Sequence, residues 1–113
     1  MLKRRMKQSI FFVAEVDERV VGFAQFTPPD KEGKTGLTAI YFYPEYQGKG
    51  IGTVLLTEGV KELGNVTEIH LNVERDNHHG RRFYEAKGFK VISEFTEDFG
   101  GHVINTVQMV LKL

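Results

Sequence analysis

A chain of 113 residues has room for one domain with a real core and none for a second. Hydrophobic residues make up 41% and charged residues 27%, and 15 basic side chains cancel 15 acidic ones, so no global field points to nucleic acid or an anionic membrane. Without cysteine there is no disulfide framework, thiolate nucleophile or cysteine metal site, and a cytoplasmic location is the default expectation.

Residues 1–9 are basic and polar. The apolar run after them is interrupted by Glu15 and Asp17 too soon for a signal peptide or membrane span, so they read as a solvated lead-in to a single domain covering 1–113. Residues 10–16 and 20–27 are β-branched and aromatic and flank Asp17, Glu18 and Arg19, which predicts a hairpin. Pro28 and Pro29 open a charged, turn-prone stretch to residue 34 that cannot continue a ladder. A third strand over 37–43 then ends at Pro44. Residues 51–63 carry Val54, Leu55 and Leu63 at helical spacing, with Gly64 and Asn65 as a stop. Gly59 inside this helix predicts close packing.

From residue 66 to 74 the pattern alternates. Thr67, Ile69, Leu71 and Val73 face one way, and Glu68, His70, Asn72 and Glu74 face the other. Strand, helix and strand make a crossover, so the third and fourth strands should be parallel, with a ligand crevice beyond their carboxyl ends. A second helix is predicted from about 78 to 87, capped by Asn77 and ended by Gly88. Residues 89–96 and 103–113 close the chain as a hairpin.

The glycine turn at that crevice carries the chemistry. Gln47, Gly48, Lys49, Gly50, Ile51, Gly52 and Thr53 place three glycines within five residues at the start of a helix, where backbone N–H groups and the helix dipole favour phosphate. The spacing excludes the nucleoside-triphosphate loop, because no hydroxyl follows Lys49. It also excludes the dinucleotide fingerprint, because Thr53 stands where the third glycine belongs. Lys49 either adds local positive charge or is a solvated loop lysine.

Gln47, Gly50 and Gly52 read as Gln-x-x-Gly-x-Gly. With Ile40, Tyr41, Phe42, Tyr43 and Pro44 before them, and Phe83-Tyr84-Glu85-Ala86-Lys87-Gly88-Phe89 after, the chain resembles the GNAT (Gcn5-related) N-acetyltransferase family. The resemblance implies an α/β mixed-sheet, GNAT-like acyl-CoA N-acyltransferase fold and acetyl-CoA as co-substrate, held at the glycine turn. It also implies that the backbone of Ile40, Tyr41 and Phe42 pairs with the pantetheine arm, that Asn77 contacts the coenzyme, and that Tyr84 protonates the departing thiolate as general acid. For Asn77 the alternative is plain N-capping, and for Tyr84 it is pinning the helix to the sheet.

Many family members place a glutamate base where this chain has Asn72. His70 and Glu74, on the same polar face, are the candidate bases through a water, or else part of a solvated face. No metal is expected: His78 and His79 diverge on a helix with no third ligand at metal spacing. The resemblance also implies an opening strand and two helices. Only nine residues precede Ile10, so the chain reads as an N-terminally truncated member, a fragment, or one whose missing wall another subunit supplies, with a homodimer the favoured expectation. The function expected is transfer of an acetyl group to a primary amine in a ternary complex. The alternative is a non-catalytic acetyl-CoA-binding module or partner subunit.

Overall fold

The computed structural model describes residues 2–6 and 9–113, the first of these by backbone pairing. Seven strands form one mixed sheet, β1 (Leu2–Met6), β2 (Ser9–Val16), β3 (Arg19–Phe26), β4 (Lys34–Phe42), β5 (Glu68–Glu74), β6 (Lys90–Phe99) and β7 (His102–Lys112), in the order β1-β2-β3-β4-β5-β7-β6. Helix α1 (Ile51–Leu63) joins β4 to β5, and helix α2 (His78–Ala86) joins β5 to β6. All neighbours are antiparallel except β4 and β5, the pair expected to be parallel. Among the described residues no helix is long and apolar enough to cross a membrane.

The opening differs from the sequence expectation. Leu2–Met6 forms a strand paired with β2, from Leu2 opposite Val13 to Met6 opposite Ser9, so the stretch read as a solvated lead-in holds the opening strand that was counted as absent. A run of leucine, lysine, two arginines and methionine has neither alternation nor a turn signal. The pull comes from the partner, because the outer edge of β2 would otherwise present a row of unpaired backbone groups. The last pair of this hairpin is Met6 opposite Ser9. Met1, Lys7 and Gln8 lie outside the described residues.

The core sits between the sheet and the two helices. Ile10, Phe12, Ala24 and Phe26 are buried from β2 and β3, and Ile69, Leu71 and Val73 from β5, three of the four residues that alternation set on one face; the fourth, Thr67, precedes the strand and is exposed. Helix α1 presses Gly52, Leu55, Leu56 and Gly59 onto them, while Val54 faces solvent, so its predicted place in the apolar stripe is wrong by about one helical step. Gly59 is where helix and sheet approach most closely: a Cβ there would stand 2.8 Å from the Phe26 ring. On the opposite face a ladder of aromatic rings runs across the strands, Phe11 to Phe23 and Phe23 to Tyr41 at 6.2 Å, and Tyr41 to Tyr43 at 6.1 Å. Tyr41 in this ladder is 51% exposed.

Strand β4 begins three residues earlier than predicted. The Asp30 carboxylate accepts the N–H groups of Glu32 and Lys34, both at 2.9 Å, and so closes the preceding loop tightly enough for Lys34 to join the sheet. The last hairpin turns on Gly100 and Gly101, whose φ of 63° and 89° suit the two-residue turn between Phe99 and His102.

Candidate functional site

The site is organised by a defect in the sheet. Strands β4 and β5 share only three rungs, Lys34 with Glu68, Thr35 with Ile69 and Gly36 with His70. Beyond them β4 runs on to Phe42 and β5 to Glu74 without pairing, so the sheet splits. A bulge lies at the point of separation. Leu37 pairs with Phe26 and Ala39 with Gln25, which leaves Thr38 as an extra residue, its hydroxyl donating to the Gln25 carbonyl at 3.1 Å. Bulges turn a strand and end its pairing. Ile40, Tyr41 and Phe42 keep β3 on one side and have no backbone partner on the other among the described residues. This is an open strand edge in the place where the resemblance implied one.

At the far end of that edge stands the glycine turn. Pro44–Tyr46 makes one 3-10 turn, Gly48 and Gly50 take φ of 76° and 81°, and α1 starts at Ile51. A Cβ on Gly48 or Gly50 would meet nothing within 4 Å, so these two are glycines for backbone conformation. Gly52 is different: a Cβ would fall 2.6 Å from the Phe83 ring, so its glycine lets α2 close onto α1. The N–H groups of Gly48, Gly50, Ile51, Gly52 and Thr53 have no backbone acceptor among the described residues. Those of Gln47 and Lys49 donate to the carbonyls of Pro44 and Tyr46 at 3.0 and 3.2 Å. The cradle thus offers five free donors at a helix N-terminus rather than every N–H from Gly48 to Thr53.

These donors border a cavity of about 580 Å³ between the turn and α2, which Phe42, Gln47 and Phe83 also line. Lys49 is exposed and is not among its lining residues. Positive charge reaches it instead from Arg82 of α2 and from Lys87 just past it, and His79 also lines it. Lys87 lies 5.4 Å from the centre of the Phe83 ring and its ammonium donates to the Thr53 hydroxyl. Sequence reading missed Arg82 and Lys87, and it gave His79, which is exposed, no part in the site. The available signal was their helical spacing with Phe83, which sets 79, 82, 83 and 87 on one side of the helix.

Asn77 caps α2, its side-chain oxygen accepting from the Gly80 N–H at 3.0 Å, and both groups are close enough that a Cβ on Gly80 would stand 2.8 Å from the asparagine amide. Tyr84 is half-buried between Phe83 and Phe89, with ring centres 5.4 and 5.6 Å away in edge-to-face contact. It does not line the glycine-turn cavity. Burial pushes its phenol above the usual tyrosine range, so the protonated form is the one present near neutrality.

At the vertex of the split, a second cavity of about 340 Å³ is bordered by Gly36, Thr38, His70, Asn72 and Gln108. The His70 ring contacts a carboxylate oxygen of Glu68 through Nε2 at 3.0 Å and the amide nitrogen of Gln108 through Nδ1 at 3.3 Å. Glu74, the other candidate base, is exposed two positions beyond Asn72 and is not among the lining residues. His78, His79 and His102 are exposed, and among the described residues no three His, Cys, Asp or Glu side chains converge as a metal site.

The family model described as acetyltransferase (GNAT) family matches residues 2–89. The spermidine N(1)-acetyltransferase of Thermoplasma acidophilum is 35% identical over 92 residues, 80% of this chain and 56% of that protein. The N-alpha-acetyltransferase of Sulfurisphaera tokodaii is 33% identical over 98 residues, 75% of this chain and 59% of that protein. In structure, PaiA N-acetyltransferase from Thermoplasma acidophilum in complex with coenzyme A superposes with a TM-score of 0.71 at 32% identity, over 94% of this chain and 62% of that one. The chain spans little more than half the length of the curated relatives it matches.

Proposed function

Given that the chain belongs to the GNAT acetyltransferase family, we propose that it moves an acetyl group from acetyl-CoA to a primary amine by direct attack in a ternary complex. The observation that carries this reading is the split sheet: an unpaired edge of β4 leads from five free N–H donors at the glycine turn to a polar cavity at its vertex. A long, thin cosubstrate with a phosphate-bearing end fits that layout. Its pyrophosphate would lie on the N–H groups of 48–53, with Arg82 and Lys87 adding charge, and its arm along Ile40, Tyr41 and Phe42.

Acetyl-CoA supplies an activated thioester. The amine nitrogen attacks its carbonyl carbon, the carbon–sulfur bond breaks, and the thiolate takes a proton. Tyr84 is the proton donor in this scheme, supported by its place in the Phe-Tyr-Glu-x-x-Gly-Phe motif and by burial that keeps the phenol protonated. The acceptor is the amine of a small polyamine or a peptide amino group, a choice supported by relatives named for spermidine and for N-alpha acetylation. A second copy of the chain, laid over the aromatic ladder of Phe11, Phe23, Tyr41 and Tyr43, would wall the acceptor side.

The first experiment is calorimetric titration of acetyl-CoA into the protein and into Gly50→Val. Micromolar binding by the first and at least tenfold weaker binding by the second is expected, because valine at a φ of 81° distorts the cradle. Binding without turnover on a panel of amines that includes spermidine would favour the other reading, a non-catalytic acetyl-CoA-binding module or partner subunit. Asn72, in the place of the common glutamate, is the residue that keeps that reading alive.

A further inference from the structure

Four side chains on three adjacent strands form a single chain of hydrogen bonds at the vertex of the split. The Ser93 hydroxyl donates to the Gln108 side-chain oxygen at 3.3 Å, and the amide nitrogen of Gln108 faces His70. That nitrogen lies 3.3 Å from His70 Nδ1, and His70 Nε2 lies 3.0 Å from the Glu68 carboxylate. An ionised carboxylate only accepts, so the proton of the neutral ring sits on Nε2 and the lone pair on Nδ1. The contact on the lone pair is long and comes from a neutral amide, which a water or an amine can displace. The contact on the other side is the short one.

Position completes the picture. His70 is the last residue of β5 still paired to β4, so it marks the point where the two strands part. A cosubstrate anchored at residues 48–53 and laid back along β4 runs past Phe42 toward Thr38, roughly 13–16 Å at strand rise. Its reactive end therefore points at the cavity that His70, Asn72 and Gln108 share.

We infer that Glu68, His70 and Gln108 form a proton-accepting relay for the acceptor amine, with His70 Nδ1 as the receiving atom and Glu68 and Gln108 as positioning residues. The inference rests on the acetyl-transfer reading. An alkylammonium acceptor loses one proton to Nδ1, directly or through one water. The freed lone pair attacks the thioester carbonyl carbon, the carbon–sulfur bond breaks and the thiolate takes a proton from Tyr84. The new amide nitrogen sheds its second proton through solvent, which restores the Tyr84 phenol, and the imidazolium returns its own proton to solvent. Glu68 stabilises the charged ring, and two lysines face Glu68 from the neighbouring strands, Lys34 across the rungs to β4 and Lys112 across the pairing to β7. Asn72 needs no carboxyl in this scheme, because the base has moved two residues back along the same face.

The test compares wild type with His70→Gln, Glu68→Gln and Gln108→Leu, using acetyl-CoA and spermidine or the best amine of the panel. We expect His70→Gln to lower kcat by about 10²-fold, with acetyl-CoA affinity unchanged by calorimetry. Glu68→Gln and Gln108→Leu should give smaller losses in kcat at unchanged acetyl-CoA affinity. Nitrogen-15 spectra of the imidazole should show the Nε2–H tautomer in wild type and a loss of that preference in Glu68→Ala. Full activity in His70→Gln, or an Nδ1–H ring in wild type, would overturn the relay while leaving acetyl transfer intact. Tight acetyl-CoA binding with no turnover on any amine in wild type would overturn both.

Discussion

The two ends of the β4–β5 split are built from different materials. At the glycine turn the polar groups on offer are backbone N–H donors, and the turn depends on the side chains that Gly48, Gly50 and Gly52 lack. At the vertex the polar groups are side chains, Glu68, His70, Gln108 and Ser93, brought together from three strands. A backbone-built site constrains only where side chains must be absent, and its spacing survives in one short stretch of sequence. A side-chain site depends on strand neighbours far apart in the chain, and each member looks like an ordinary solvated residue.

Substitutions on either side of this divide should separate binding from chemistry. The largest change in rate is expected for Tyr84→Phe, which should lower kcat by about 10²-fold in steady-state assays while acetyl-CoA binding persists. The same variant tests the buried phenol. With its folded-state value raised, Tyr84 keeps its proton after the unfolded chain has lost it, so wild type should lose stability relative to Tyr84→Phe as pH rises above about 10, with no such difference below. Chemical denaturation of both proteins at pH 8 and 10.5 reads it. A shared pH dependence would mean the ring is solvated.

Next in size is Gly52→Val, whose added carbons meet the Phe83 ring. It should destabilise by about 1–3 kcal/mol and weaken acetyl-CoA because α2 is pushed off α1. Acetyl-CoA affinity equal to wild type would show that the two helices need not touch for the cradle to work. The smallest change belongs to Lys87→Met, which removes the bond to Thr53 and one positive charge from the cavity. A several-fold weaker acetyl-CoA affinity with kcat unchanged is expected from calorimetry and kinetics. A fall in kcat instead would move Lys87 from the binding end to the chemistry.

The sequence made the binding end readable and left most of the vertex hidden, for the same reason. Gly48, Gly50 and the Asn77 cap are local devices, governed by one residue's dihedral or by a bond three residues long. His70 could be named because alternation put it on the polar face. Its partners could not, since Gln108 is 38 residues away and reaches it only through the β5–β7 register. The split itself follows from the extra residue at Thr38, which no propensity marks. Opening strand β1 was lost to its own composition: charge-rich edges are common in sheets because they discourage further pairing, and that makes them resemble solvated tails.

The three rungs between β4 and β5 also bear on how the protein holds together. Strands β1 to β4 are joined to those from β5 onward by these three rungs and by the bonds of Thr67 to Glu32 and Gly33 just before them, reinforced by α1. A cosubstrate arm lying along β4 would then act as a keystone, lending hydrogen bonds to an edge the chain leaves open. Ligation would show up as rigidity shared by both leaves of the sheet, with those amides of 38–42 that are not bonded to β3 exchanging slowly only when the arm is in place.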